Sequence, residues 1–158
     1  MENRSDNRND AVPFLLFRIR QHLCGLPLAY IVEVMRPLPL EAITGAPAEV
    51  QGIAVIRGMP QPVLDLGTLL GGEDEPATRF VTIKTGVRRV ALAVASVVGT
   101  RYLAADVIRD LPPLLSGTSG NSVTAIGSLD TELLMVLNTA HLVPESVWLA
   151  IDHFGESS

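Results

Sequence analysis

Residues 50–70, VQGIAVIRGMPQPVLDLGTLL, decide the fold of this chain. Two apolar runs, at 53–56 and 62–66, flank the short segment Arg57-Gly58-Met59-Pro60. β-Branched residues followed by Gly and Pro, and then by further aliphatic residues, predict a β-hairpin. Asp65 stands near the end of the second run, just before a leucine-rich segment, and is therefore predicted to cap a short helical turn.

The same pattern returns 73 positions later, beginning at Val123. Apolar residues recur at a single offset, and an Asx residue occupies the same place in both copies. The matched positions are Val50 with Val123, Ile53 with Ile126, Ile56 with Leu129, Val63 with Val136, Leu64 with Leu137, Asp65 with Asn138, Leu69 with Leu142 and Leu70 with Val143. Such a repeat predicts two similar half-domains in one chain.

The composition predicts an aliphatic core and an unusually large share of apolar residues to be buried or covered. Hydrophobic residues make up 47% of the 158 residues and charged residues 18%, against a usual charged share of about 25%. A protein with this balance either buries an unusually large share of its chain or leaves apolar surface for a partner. Aromatic residues are 4%, so the core must be aliphatic.

Charge and cysteine content narrow the class of protein. The net charge is −5, and the sequence has no cluster of basic residues larger than the pair Arg88-Arg89. Both features argue against nucleic-acid binding. Cys24 is the single cysteine, so an internal disulfide is excluded. Residues 1–10 are polar, unlike a secretory signal, and a disordered tail is expected over residues 1–12. No run is apolar enough for a bilayer, so we expect a soluble cytoplasmic protein without membrane insertion.

Turn signals divide the chain into short elements. Alternation predicts strands at 14–20 and 24–28, and the spacing of Ile31, Val34 and Met35 predicts one or two helical turns over 30–35. The acidic, glycine-containing segment at 71–78 is predicted to join the halves, with strand exchange between them possible. Hairpins are predicted over 79–95 and 123–138, and a terminal amphipathic helix over 145–154. Weaker patterns indicate helices at 106–115 and 139–143 and a loop at 116–122.

Many short strands with a repeat favour two small barrels over one sandwich. We therefore predict a mainly β fold whose residues 13–158 form one domain with two barrel subdomains, short helices and a C-terminal helix.

Candidate reactive residues give little support to an enzyme. His22, His141 and His153 are scattered without metal-ligand spacing, so no metal site is expected. His22 and Cys24 would face the same side of a strand, but a buried cysteine beside a surface histidine is the favoured explanation. An enzyme or small-molecule sensor using these groups, or paired carboxylates, stays an alternative of another class.

Two charged residues lie within apolar surroundings. Arg57, at the tip of the hairpin, can present its guanidinium fork to a carboxylate on another chain, or can be a surface arginine whose stem covers apolar area. Glu33, between Val32 and Val34, has the same two interpretations: a partner contact or a solvated face.

The motifs resemble those of the CheW family of chemotaxis coupling proteins over residues 14–154. They are the Gly25-Leu26-Pro27 strand, the segment Ile31-Val32-Glu33-Val34, the segment Gly52 to Gly58 with Pro62-Val63-Leu64-Asp65-Leu66, and the late element at 134–138. The central motif agrees in order, spacing and its Arg-Gly pair. Two positions depart from the family pattern: Val55 replaces an asparagine, and Val94-Ala95 replaces Val-Asp.

The resemblance implies two SH3-like five-stranded barrels and a function without catalysis or cofactors. It implies partners as well: the cytoplasmic tip of a chemoreceptor, in membrane-associated arrays, and the regulatory domain of a CheA-type histidine kinase. Carried over by motif, the receptor-binding residues are Ile31, Glu33, Val34 and Arg57, and the kinase-binding residue is Gly52. The departures leave a second interpretation, a divergent paralogue in a pilus or other two-component pathway that binds kinase but not receptor.

Overall fold

Strands dominate the computed structural model, which describes residues 11–72, 75–104, 108–110, 123–130, 132–139 and 141–157. The strands are β1 (Val12–Ile19), β2 (His22–Pro27), β3 (Ile31–Met35), β4 (Val50–Ile56), β5 (Met59–Asp65), β6 (Arg79–Thr85), β7 (Arg88–Val94), β8 (Ser96–Leu103), β9 (Ile108–Asp110), β10 (Val123–Leu129) and β11 (Glu132–Leu137). The helical segments are a 3-10 turn (Leu28–Tyr30), α1 (Leu66–Leu69) and α2 (Glu145–Ser157).

The strands form two sheets that each take strands from both ends of the chain. One sheet has the order β8-β1-β2-β11-β10-β9 and the other has the order β3-β6-β7-β5-β4. The predicted mainly β fold is confirmed. The motifs implied two five-stranded barrels. Among the described residues, the second sheet has five strands, whereas the first has six because it includes the short strand β9.

The hairpin register confirms the sequence repeat. Both hairpins carry a register irregularity after their first residue pair, and their pairs match at the offset of 73: Val50–Leu64 and Gly52–Val63 in one, Val123–Leu137 and Ala125–Val136 in the other. The β1–β2 hairpin lies between β8 and β11, as the β6–β7 hairpin lies between β3 and β5. Each half of the chain therefore lends a hairpin to the sheet built mainly by the other half.

The segment predicted to join the halves runs from the end of α1 to β6. Both elements adjoin the five-stranded sheet, and residues 73 and 74 lie outside the described part of the chain. Whether 71–78 also separates two subdomains stays a prediction.

Buried side chains form three clusters. Two of them are each enclosed by a single curved sheet, and the third lies between the two sheets. Each interior cluster is drawn from one sheet: Ala54, Ile56, Val63, Phe80, Ala91 and Ala93 in the five-stranded sheet, and Phe14, Leu16, Leu23, Leu103, Leu134 and Val136 in the six-stranded sheet. The largest cluster mixes both sheets and includes Phe17, Leu64, Leu92 and Trp148. Central strands are thus buried on both faces, which accounts for much of the apolar excess in the composition.

Asp65 caps α1 as predicted. Its carboxylate accepts hydrogen bonds from the Thr68 backbone nitrogen at 2.8 Å and from the Thr68 hydroxyl at 2.7 Å. Asp65 is almost fully buried, and Gln51 Nε2 donates to its other oxygen at 3.3 Å. The cap therefore ends β5 and begins the helical turn.

The helix predicted over 30–35 is wrong, because this segment is strand β3 after a 3-10 turn. β3 pairs with β6, and a register shift between Ile31 and Glu33 places one extra residue on β3. Such a bulge reverses the alternation of faces, so Ile31 and Val34 share a face although they are three residues apart. That spacing imitates a helix in the sequence.

Several predictions near the C-terminus have different outcomes. The α2 helix is confirmed and extends to Ser157, whereas the described residues of 139–143 form turns and bends instead of a helix. Within 106–115, residues Ile108–Asp110 form a strand on β10. The rest of that segment, the loop at 116–122 and residues 1–10 lie outside the described part. Val12 pairs with Leu103, so the strand begins inside the predicted tail. No helix among the described residues is long and apolar enough to cross a membrane.

Candidate partner-binding site

The tip of the β4–β5 hairpin is a two-residue turn. Ile56 pairs with Met59, and the two residues between them, Arg57 and Gly58, have φ values of 53° and 77°. Positive φ at both central positions is the type I′ turn that matches the twist of a hairpin. A non-glycine residue in this region costs roughly 1 kcal/mol, so Arg57 is held in a conformation that most side chains avoid. Its side chain is 79% exposed.

Arg57 forms a two-point ion pair with Glu33. Arg57 Nε lies 3.2 Å from Glu33 Oε1 and Nη2 lies 2.9 Å from Oε2. β3 and β4 are the two edges of the five-stranded sheet, so this contact links the two edges, as expected where a sheet curls toward a barrel. The pair presents an exposed guanidinium above a carboxylate that is 24% exposed.

The ion pair shifts the pKa values of Glu33 and Arg57 in the directions that favour their charged forms. Hydrogen bonding from Arg57 is the largest cause lowering the pKa of the Glu33 carboxyl below its usual 4.5; burial opposes the shift and charge attraction adds to it. The same hydrogen bond raises the pKa of the Arg57 guanidinium above its usual value. Glu33 is therefore ionised at neutral pH and Arg57 keeps its partner.

The structure brings two of the four predicted receptor-binding residues into contact. Ile31 packs toward the core between the sheets, and Val34 lies on that same face, 39% exposed. Glu33 lies on the opposite face, with Met35 against the five-stranded interior. The four residues thus share one edge of the molecule, and the bulge sends their side chains to two sides of it.

Sequence reasoning did not predict the exposure of three apolar residues of β3, β4 and β5: Val32, Val55 and Met59. They are 42%, 63% and 51% exposed. The alternation of β4 could have found Val55, since Ala54 and Ile56 beside it are buried in the barrel. The departure from the family asparagine therefore lies on the surface, two residues before Arg57.

Gly52, the predicted kinase-binding residue, is buried. The segment at Glu41 crosses over it through two 2.9 Å backbone hydrogen bonds between Glu41 and Ile53. A Cβ on Gly52 would lie 2.7 Å from the Glu41 carbonyl oxygen, so the position requires glycine. Gly52 is five residues before Arg57, roughly 16 Å away along a strand, and is not part of the same surface.

The structure agrees with the favoured interpretation of His22 and Cys24, a buried cysteine beside a surface histidine. Cys24 is fully buried, and its Sγ lies 3.9 Å from the backbone oxygen of His22. His22 itself is exposed. Burial raises the pKa of the Cys24 thiol to about 12. The thiol is therefore protonated at neutral pH, which argues against Cys24 as a nucleophile.

A cleft of about 300 Å³ opens where the two sheets meet. His22 lines it together with Ile19, Arg20, Leu70 and Met135. Among the described residues, no three His, Cys, Asp or Glu side chains are grouped so that they could hold a metal ion.

Two barrels that share hairpins, with a fixed ion pair at one barrel edge, define a double-barrel interaction domain. The model of the CheW-like domain family matches residues 13–147, so the chain belongs to the CheW-like family, as its motifs predicted. This family membership confirms the predicted class, a chemotaxis adaptor.

Known relatives agree with this assignment. A probable chemotaxis protein CheW from Rhizobium etli is 25% identical over 146 residues, covering 90% of this chain and 94% of the relative. Protein FrzA from Myxococcus xanthus is 33% identical over 108 residues, 66% of each chain. The crystal structure of the scaffolding protein TtCheW from Thermoanaerobacter tengcongensis matches with a TM-score of 0.79 at 20% identity, covering 87% of this chain and 95% of that one. This last match shows the fold.

Proposed function

We propose that the protein is a non-catalytic cytoplasmic adaptor that couples the tip of a chemoreceptor to the regulatory domain of a CheA-type histidine kinase. The family, and the chemotaxis and scaffolding roles in the names of its relatives, support this proposal. The receptor is proposed to bind Ile31, Glu33, Val34 and Arg57, and Gly52 is proposed to serve kinase binding.

The observation that carries the proposal is the Glu33–Arg57 pair. Two residues that the motifs linked to receptor binding are 24 positions apart in sequence, and they share two hydrogen bonds. The pair leaves the guanidinium exposed, and the exposed apolar residues Val55 and Met59 each lie two positions from Arg57 along the hairpin. An exposed guanidinium on a hairpin that also carries exposed apolar residues suits an amphipathic helix with an acidic residue.

Gly52 supports kinase binding indirectly. Because it is buried under the Glu41 segment, its proposed role is to let that segment lie close to β4. The kinase would then contact the segment and not the glycine itself.

The test is co-sedimentation with a chemoreceptor cytoplasmic fragment and, separately, with the regulatory domain of a CheA-type kinase. Arg57→Ala is expected to weaken receptor binding roughly tenfold or more, since a hydrogen bond to a charged group contributes about 1.5–3 kcal/mol. Kinase binding should be unchanged. Arg101→Ala is the matched control, because it breaks the ion pair at the other hairpin tip. Receptor binding that survives Arg57→Ala at full strength would refute the assigned surface.

A second candidate is an adaptor that binds kinase but not receptor. Val55 favours it, since it places an exposed apolar side chain where the family pattern has asparagine, two residues from Arg57. Wild-type protein that is retained by the kinase domain and ignored by the receptor fragment would select this candidate. Val55→Asn would then be expected to restore receptor binding.

A further inference from the structure

Thr82 contacts the backbone of Glu33 at the β3 bulge. Its hydroxyl accepts a hydrogen bond from the Glu33 backbone nitrogen at 3.0 Å and donates one to the Glu33 carbonyl oxygen at 3.2 Å. Thr82 is the β6 residue opposite Glu33, beside the register shift. One hydroxyl therefore satisfies both backbone groups of the residue that carries the carboxylate.

Burial makes this contact hard to replace. Thr82 is 2% exposed, so water has little access to its hydroxyl. A bulge interrupts the strand ladder, and a buried backbone group that is left unpaired in such a place destabilises the fold. The hydroxyl thus fixes the backbone of Glu33, and through it the direction from which the carboxylate meets Arg57.

The other barrel has a register shift at the matching place, but no hydroxyl there. There the register shift lies between Leu16 and Phe17 on β1 and the paired residues of β8. Counting from the two shifts, Leu16 takes the place of Thr82 and Gly99 takes the place of Glu33. That bulge uses glycine at a φ of 143°, a conformation that favours glycine, whereas Glu33 is not among the residues with positive φ. The hydroxyl occurs in the copy where the bulge carries a charged side chain.

We propose that Thr82 is a positioning residue for the Glu33–Arg57 surface. It holds the Glu33 backbone so that the carboxylate meets both nitrogens of the Arg57 fork. The expected effect of Thr82 on receptor binding rests on the proposed function. Its expected effect on the ion pair concerns the free protein and does not depend on that function.

The test compares Thr82→Val, which keeps the shape and removes the hydroxyl, with Thr82→Ser, which keeps the hydroxyl. The first measurement is the pKa of Glu33 by NMR titration of its carboxyl carbon in the free protein. We expect Thr82→Val to raise this pKa toward 4.5, because the hydrogen bond from Arg57 loosens, and Thr82→Ser to keep it low. The second measurement is binding to the receptor fragment, expected to weaken roughly five- to tenfold in Thr82→Val and to recover in Thr82→Ser.

The two measurements separate this inference from the proposed function. Wild-type protein that does not bind the receptor fragment refutes the proposed function, while the Glu33 titration still decides the role of Thr82. A folded Thr82→Val protein whose Glu33 titrates as in wild type would overturn the inference. If Thr82→Val does not fold, a folded Thr82→Ser protein in which Glu33 titrates at its usual pKa, despite the hydroxyl, would overturn it equally.

Discussion

The hairpin tips of the two barrels carry opposite charges on nearly the same backbone. Arg57 and Asp130 are 73 positions apart, the offset of the repeat, and their φ values are 53° and 58°. Arg57 pairs with Glu33 on β3, whereas Asp130 pairs with Arg101 on β8. The repeat has therefore kept the backbone geometry while the sign of the exposed charge has changed.

The two ion pairs also differ in how firmly they are held. The Arg57 pair has two hydrogen bonds and one sheltered carboxylate. In the other pair Arg101 Nη1 lies 3.7 Å from Asp130 Oδ2, and the side chains are 50% and 81% exposed. Exposed single-contact pairs contribute little and rearrange easily. The comparison suggests that a partner meets a preorganised charge at the first tip and an adaptable one at the second.

The largest expected effect tests whether the barrels are independent. Phe80 and Phe14 occupy equivalent interior positions of the two barrels. Phe80→Ala should lower the free energy of unfolding by about 3–5 kcal/mol, as should Phe14→Ala. Because the halves exchange hairpins, each variant should still unfold in one transition, followed in urea by circular dichroism and by fluorescence of the single tryptophan, Trp148. Two separate transitions would show that the barrels fold alone.

The second-largest expected effect is a loss of stability at a position near the start of β4, where the two hairpins differ. Gly52 and Ala125 occupy equivalent register positions, yet Gly52 alone of the two is glycine. Gly52→Ala should destabilise the protein by about 2–3 kcal/mol, because the new Cβ meets a backbone oxygen that cannot move aside cheaply. Gly58→Ala is the control: it has a positive φ of 77° but open space, and should cost about 1 kcal/mol. Equal losses in the two variants, measured by urea unfolding, would contradict the steric explanation.

Local patterns predicted the hairpin, its cap and the repeat, because the residues responsible are neighbours in sequence. Asp65 and Thr68 are three residues apart, and the helical turn they stabilise lies between them. The β3 bulge was missed since it reproduces the spacing of a helix in Ile31 and Val34. A register shift depends on the partner strand, β6, which begins more than 40 residues later.

The candidate site was predicted as separate residues and not as a contact. Glu33 and Arg57 were each singled out, with a partner contact and a solvated surface left open for both. Their pairing depends on the curvature that brings β3 to β4, the opposite edges of one sheet. Curvature is a property of the closed barrel, so no local pattern in the sequence contains it.

A smaller effect concerns acid. Glu33 and Glu132 both have a pKa below 4.5, caused first by hydrogen bonds from Arg57 and Arg18 respectively. A carboxyl whose pKa is lowered in the folded state stabilises the fold above its unfolded pKa, and this stabilisation is lost as the pH falls through the folded value. Stability should therefore fall below about pH 4.5.

Arg57→Ala should lose less stability on acidification than wild type, because its Glu33 has no shifted pKa left to lose. The measurement is the urea midpoint between neutral pH and pH 3, with Arg89→Ala as an exposed-arginine control on β7. Identical acid losses in wild type and Arg57→Ala would show that the pair does not form in solution.

The smallest expected change in stability is that of a double variant that exchanges the charges of Glu33 and Arg57. In the double variant Glu33→Arg with Arg57→Glu, the pair should re-form with its polarity exchanged, since the Thr82 hydroxyl contacts the backbone at position 33 and not its carboxylate. We expect the urea midpoint to stay at the wild-type value, while Arg57→Glu alone lowers it by placing two carboxylates together. Receptor binding should be lost in the double variant, because the exposed group of the pair becomes a carboxylate. Full binding by the double variant would mean that the receptor reads the shape of this edge, and that the opposite charges of the two tips have no part in choosing partners.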